Sequence, residues 1–280
     1  MAPQLFIPPN ACDSHLHIFD PRFREVLPAD DMSAVPCTAS AYAEVQRALQ
    51  IDRAVVVTPR NYDTDNAVTV DAIAQMGLHR ARGVAVLRPD VSDSTLALLH
   101  EQGIRGIRFT LYTPEHAPTS FDMVEPLAAR IKVFGWHLQL HWTADQIVAH
   151  EGLLERLPVS VVFDHLGRLP VSVGLDHPAA AIIERLMREN RAWVKLSAPY
   201  LDSGKGRQST YEDVDEVARH WIAVAPNQVV WGSDWPHTSL RSPPSTAIFL
   251  EKLFSWVDDQ ACLDRILVSN PARLYWDAEA

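Results

Sequence analysis

The stretch "CDSHLHIFDP", residues 12–21, decides the fold. Written as a strand, it puts Asp13, His15 and His17 on one parity and Leu16 and Ile18 on the other. Two histidines sharing one face of a strand suit surface polarity, a metal site or the polar floor of an active site. What the rest of the chain brings to that face decides among them.

Working outward from this strand (11–19), seven further short apolar runs follow. They are "DRAVVVTP" (52–59), "RGVAVLR" (82–88), "RGIRFTLY" (105–112), "WHLQLHW" (136–142), "SVVFDHLG" (160–167), "WVKLSAP" (193–199) and "QVVWGSDW" (228–235). Between them lie segments of helical period such as "TASAYAEVQRALQ", "DSTLALLHEQG" and "AAAIIERLMREN", several opening on Thr, Ser or Asp. Repeated strand–helix units predict a (β/α)8 TIM barrel, one domain over residues 1–280, with an open doubly wound sheet as the alternative. No G-x-G-x-x-G follows the first strand, which counts against dinucleotide binding on an open sheet. The longest irregular stretches, 20–38, 113–120, 168–178, 199–210 and 236–246, all follow expected strands. In a barrel these are the loops of the face that carries active sites.

Composition narrows the partners. The chain has 280 residues, a formal charge of −10 and no Lys/Arg cluster, so nucleic acid is a poor partner and a small molecule the expected one. Cys12, Cys37 and Cys262 are too few and too scattered for a disulfide framework or a zinc ribbon, and free thiols suit a reducing compartment. "MAPQLFIPPN" lacks a signal-like apolar run, and no stretch approaches the ~18 consecutive apolar residues of a membrane span. The expectation is a cytoplasmic protein without membrane contact.

The same parity test gathers polar residues at one end of the barrel. Strand 4 contributes Arg108, Thr110 and Tyr112, strand 5 Gln139 and His141, strand 6 His165, strand 7 Lys195 and Ser197, and strand 8 Asp234. A single buried histidine is usually a hydrogen-bonded core residue. Four histidines and an aspartate at one end are not explained that way, because each polar group left unsatisfied costs roughly 1–3 kcal/mol. Arg108, with a planar fork that binds a carboxylate through two nitrogens, is the candidate substrate anchor, and Tyr112 and Ser197 add hydrogen bonds. His237 either orients Asp234 or is solvated; Asp164 caps or bonds a loop; Arg105 is structural.

"DSHLHIFDP", "VFDHLGR", "VVWGSDWPH" and "NPARLYW" together resemble the amidohydrolase superfamily, in the branch of 2-pyrone-4,6-dicarboxylate lactonase and the sugar-acid lactonases. "TDNAVTVDAI", "RGVAVL" and "GIRGIRF" extend the resemblance over nearly the whole chain. It implies a (β/α)8 barrel that hydrolyses a cyclic ester at its mouth. Asp234 matches the residue that takes a proton from the attacking water, and His15, His17 and His165 match the histidines of strands 1 and 6. In the pyrone dicarboxylate lactonases these histidines polarise the ester carbonyl without a metal, so no cofactor is required. The alternative is a single divalent ion such as zinc, held by His15, His17 and Asp234, with His141 where a strand 5 ligand would stand.

Arginines separate this chain from the pyrone dicarboxylate pattern. The loop after strand 4 has none, the loop after strand 7 offers Lys205 and Arg207, and the loop after strand 1 offers Arg22 and Arg24. A muconolactone-type or sugar-acid lactone with one carboxylate is therefore at least as good a substrate. A metal-dependent decarboxylase or lyase, a lactone isomerase and a non-catalytic binding barrel are the competing readings. The last has no use for a carboxylate beside the arginine and histidines.

Overall fold

The computed structural model describes residues 5–26, 36–205, 210–240 and 242–276. Eight parallel strands pair in chain order: β1 (Cys12–Leu16), β2 (Arg53–Val57), β3 (Ala81–Ala85), β4 (Ile104–Thr110), β5 (His137–His141), β6 (Val161–Phe163), β7 (Ala192–Leu196) and β8 (Val229–Trp231). They are the expected strands, trimmed at their ends. Their residues are buried on both faces, as a parallel sheet wrapped by helices requires. Cys12, Val55, Val57, Val162 and Val230 form an inner core, and the alternate residues pack outward against the helices.

The helices between strands are α1 (Ala39–Leu49), α2 (Ala67–Met76), α3 (Asp93–Glu101), α4 (Val124–Ile131), α5 (Ala144–Ala149), α6 (Glu151–Arg156), α7 (Pro178–Arg188) and α8 (Asp215–Val224). Thr38, Ser92 and Thr143 accept hydrogen bonds from the first turns of α1, α3 and α5, and Thr143 completes a capping box with Gln146. After β8 come α9 (Ala247–Trp256), α10 (Gln260–Asp264) and α11 (Asn270–Tyr275), which strand–helix alternation did not resolve. Asn270 Nδ2 donates to Pro226 O at 2.9 Å and Val229 O at 2.7 Å, fastening α11 beneath β8, and Tyr275 enters the inner core.

Two features position the mouth. In β1 the pairing advances three residues, Asp13 to Leu16, while β2 advances two, Ala54 to Val56. The extra residue is a bulge, and it breaks the parity expected from sequence. Asp13 turns to the β1–β8 seam, accepting from His15 N at 3.1 Å, Ser233 N at 2.8 Å and Tyr42 Oη at 2.8 Å, while His15 and His17 face the mouth. The seam is also closed by Asp234 N to His15 O and His17 N to Trp235 O, both 2.8 Å.

The second feature is backbone of positive φ beyond the strand ends. His165, Leu166, Gly167 and Arg168 are successively left-handed, and Asp234 and His237 join them at φ 59° and 64°. Such geometry is costly for residues with a Cβ and concentrates here at the mouth. Among the described residues no helix is long and apolar enough to cross a membrane.

Candidate active site

Asp234 follows β8, where its left-handed turn folds the carboxylate over β1. Oδ1 lies 3.4 Å from His15 Nε2 and 3.6 Å from His17 Nε2, and the two Nε2 atoms are 3.3 Å apart. Oδ2 accepts from the Tyr200 hydroxyl. Burial pushes the Asp234 pKa up to about 7, opposed by the Tyr200 hydrogen bond and the Arg108 charge. The carboxyl therefore exchanges its proton near neutral pH, as a general base should. His17 Nδ1 lies 2.8 Å from the Val57 carbonyl, which only accepts, so a neutral His17 turns an Nε2 lone pair toward the mouth. Burial pushes His17 down to about 3.

A second layer supports these groups. The Lys195 ammonium donates to Ser14 O at 2.8 Å and Gln139 Oε1 at 2.7 Å, and lies 3.3 Å from His15 Nδ1. Burial pulls Lys195 down to about 8. Asp164 is at the barrel interior rather than on a loop: Oδ2 accepts from Arg108 Nε at 2.9 Å and Gln139 Nε2 at 3.2 Å. Burial, the largest single influence, pushes Asp164 upward, yet the Arg108 guanidinium together with His15 and His165 outweighs it and holds the carboxyl well below the usual range. His165 Nδ1 pairs with Ser197 Oγ at 2.9 Å, and its Nε2 faces Arg108 Nη2 at 3.4 Å.

His141 stands apart from the His15–His17–Asp234 group. Its ring nitrogens face Arg168 Nη1 at 2.6 Å and Arg108 Nη2 at 3.2 Å, and Tyr112 packs 4.4 Å from its ring centre. The structure thus places two guanidiniums where a strand 5 metal ligand was expected, and positive charge there disfavours a cation. His237 is not solvated, and it meets Asp234 through backbone, its N–H donating to Asp234 O at 2.8 Å, while its ring turns away from the cluster. It is buried, reaches Thr246 Oγ1 at 3.2 Å and packs behind Tyr200. Arg207 lies outside the described residues.

Sequence parity missed Tyr200 and Arg168, which lie on irregular backbone after β7 and β6. Arg168 pairs with Asp202 at 2.9 Å and lies 5.7 Å from the Tyr112 ring centre, with its side chain 16% exposed against 5% for Arg108. It is the more accessible guanidinium at the rim. A basic residue three positions after His165 was the available signal.

His15, His17 and Asp234 could hold one divalent ion. Ligand bonds of about 2.1 Å in a tetrahedron set neighbouring ligands about 3.4 Å apart, close to the spacing found. Asp164 Oδ1, buried and 3.4 Å from His15 Nδ1, is placed to accept a hydrogen bond from that nitrogen if Nε2 were ligating. The residues present fit such an ion. A second grouping, His15, Asp164 and His165, is bridged by Arg108, whose own charge takes a cation's place.

The sequence and fold agree with known proteins. The chain is 34% identical over 288 residues to a 2-pyrone-4,6-dicarboxylate hydrolase of Comamonas testosteroni, covering 99% of this chain and 93% of that protein. It is 30% identical over 275 residues to a 4-sulfomuconolactone hydrolase of Hydrogenophaga intermedia, covering 96% and 89%. A crystal structure of an Agrobacterium tumefaciens protein in its apo form superposes with a TM-score of 0.87 at 26% identity over 96% of both chains. The amidohydrolase family model matches residues 12–276, from the first residue of β1 to the residue after α11. With its sequence and barrel in accord, the chain belongs to the amidohydrolase family.

Proposed function

We propose that this protein hydrolyses a lactone bearing an anionic group. The observation that carries the reading is the Asp234 carboxylate, poised near pH 7 and facing two histidines at a barrel mouth lined by guanidinium groups. Its relatives named above are hydrolases of anionic lactones.

Lactone opening needs an activated water, an acceptor for its proton and positive character at the carbonyl oxygen. Asp234 Oδ1 takes the proton. His17, whose Nε2 lone pair faces His15 in the substrate-free site, is suited to orient the same water once a substrate carbonyl takes up the His15 donor, rather than to polarise the carbonyl. His15 and the Arg108 charge supply the positive character, while His165, bonded to Ser197 and Arg108, holds the back of the site. Water adds to the carbonyl carbon, the ring C–O bond breaks, and the proton held by Asp234 passes to the leaving alkoxide. The product is a hydroxy acid.

Arg168 anchors the substrate's carboxylate or sulfonate, with Tyr112 beside it. Both guanidiniums have a carboxylate on Nε, Asp202 for Arg168 and Asp164 for Arg108, but Arg108 is less free for this role because it is the more buried and its Nη2 also faces His141 and His165. Among the described residues Arg168 is the more exposed of the two guanidiniums that meet at His141, which suits a lactone carrying at least one anionic group. The free thiols among the described residues suit the cytoplasm.

These steps use side chains alone. The second reading, favoured by the 3.3–3.6 Å spacing of the triangle, has one divalent ion on His15, His17 and Asp234, where it would polarise the carbonyl and acidify water. The test is a lactone panel read by proton release, including pyrone dicarboxylate, muconolactones and aldonolactones, on protein of measured metal content with and without chelator. Opening of at least one lactone is expected, with activity surviving the chelator. No turnover across the panel overturns lactone hydrolysis, and chelator-sensitive turnover selects the second reading.

A further inference from the structure

Lys195 is fully buried in the barrel, and among the described residues its ammonium has no carboxylate at ion-pair distance; its bonds go to Ser14 O and Gln139 Oε1, beside His15 Nδ1. Burying an ammonium against neutral acceptors is unfavourable. None of the hydrolytic steps above uses it.

Contacts on both sides of the ring favour one tautomer of His15. On the mouth side, His17 donates Nδ1–H to Val57 O, so its Nε2 is a lone pair. The 3.3 Å contact between the two Nε2 atoms is then a hydrogen bond only when His15 is the donor. On the inner side, an ammonium only donates, so the 3.3 Å contact of Lys195 Nζ with His15 Nδ1 needs a lone pair on Nδ1. Both contacts put the His15 proton on Nε2. The other tautomer also has a place: Asp164 Oδ1, buried and 3.4 Å from Nδ1, would accept from it and leave Nε2 bare.

We propose that Lys195 is a positioning residue that holds His15 as an Nε2–H donor toward the mouth and thereby weakens the grip of the His15–His17–Asp234 triangle on a divalent cation. To ligate, His15 must give up the Nε2 proton, abandon Lys195 and turn to Asp164. The fixed positive charge behind its ring opposes a second one in front. Lys195 thus biases one set of side chains between a proton-donating and a metal-holding state. The inference rests on these three residues being the reacting site and is independent of which lactone is opened.

The test uses full-length protein stripped with chelator, with no substrate. Nitrogen-15 NMR of labelled histidine, with His15 assigned by comparison with His15→Gln, should give a pyrrole-like shift at Nε2 and a pyridine-like shift at Nδ1 in the unsubstituted protein. In Lys195→Met the two should exchange, and zinc titrated calorimetrically should bind about tenfold or more tighter than to the unsubstituted protein. A proton on Nδ1 in the unsubstituted protein overturns the proposal without recourse to any variant. An unchanged tautomer or unchanged zinc affinity in folded Lys195→Met overturns it as well. Because no lactone enters the experiment, these outcomes are separate from those of the substrate panel.

Discussion

At the scale of the residue, the mouth is a set of hydrogen-bond directions. Asp234 has one oxygen held by Tyr200 and the other facing His15 and His17. Asp234→Asn keeps the shape and removes the base, so kcat for lactone opening should fall about a hundred- to ten-thousand-fold with KM little changed. Retained turnover in steady-state assays would refute the role. Because the active form is the carboxylate and burial raises its pKa to about 7, kcat should rise with pH through 7 and fall about tenfold per unit well below it. The Tyr200 bond favours the charged form, so Tyr200→Phe should move this limb to higher pH, read from a pH–rate profile. Arg168→Met should raise KM roughly tenfold or more by removing a charge-assisted contact while leaving kcat within a few-fold. A larger effect on kcat than on KM would assign Arg168 to the chemistry instead.

At the scale of the element, strand ends decide where these residues go. The bulge in β1 spends one residue, so Asp13 leaves the parity of His15 and His17 and joins the seam. Alternation read from sequence cannot see a bulge, because the register belongs to the partner strand as much as to the chain itself. Strands 4, 5 and 7 contain no such slip at the mouth, and Arg108, Gln139, His141 and Lys195 lie where alternation placed them. Gly232 is required by close approach: a Cβ there would lie 2.5 Å from His15 Cβ and 2.9 Å from His15 N. Gly232→Ala should cost about 1–3 kcal/mol in urea denaturation and displace His15, lowering turnover as well. An unperturbed variant would show that β1 and β8 can separate at no cost.

At the scale of the whole molecule, the barrel must close between its first and last strands, which are distant in sequence. Asp13 serves that closure by accepting from Ser233 N and from Tyr42 on α1. Asp13→Ala leaves these buried donors unpaired and should destabilise the fold by about 2–4 kcal/mol, measured by urea unfolding. A loss below about 1 kcal/mol, the worth of one ordinary hydrogen bond, would mean that the seam is held by backbone pairing alone.

The sequence by itself determined the eight strands, most of their inward faces and the polar residues of the mouth, because period-two alternation and burial are local properties. Only the tertiary structure decided the partners of those residues. Tyr200, Arg168 and Asp164 reach the site through strand ends, left-handed turns and packing across the barrel, and no spacing in the chain encodes those meetings. The tautomer of His15 is of the same kind: it depends on Lys195, 180 residues away, and on Val57 acting through His17.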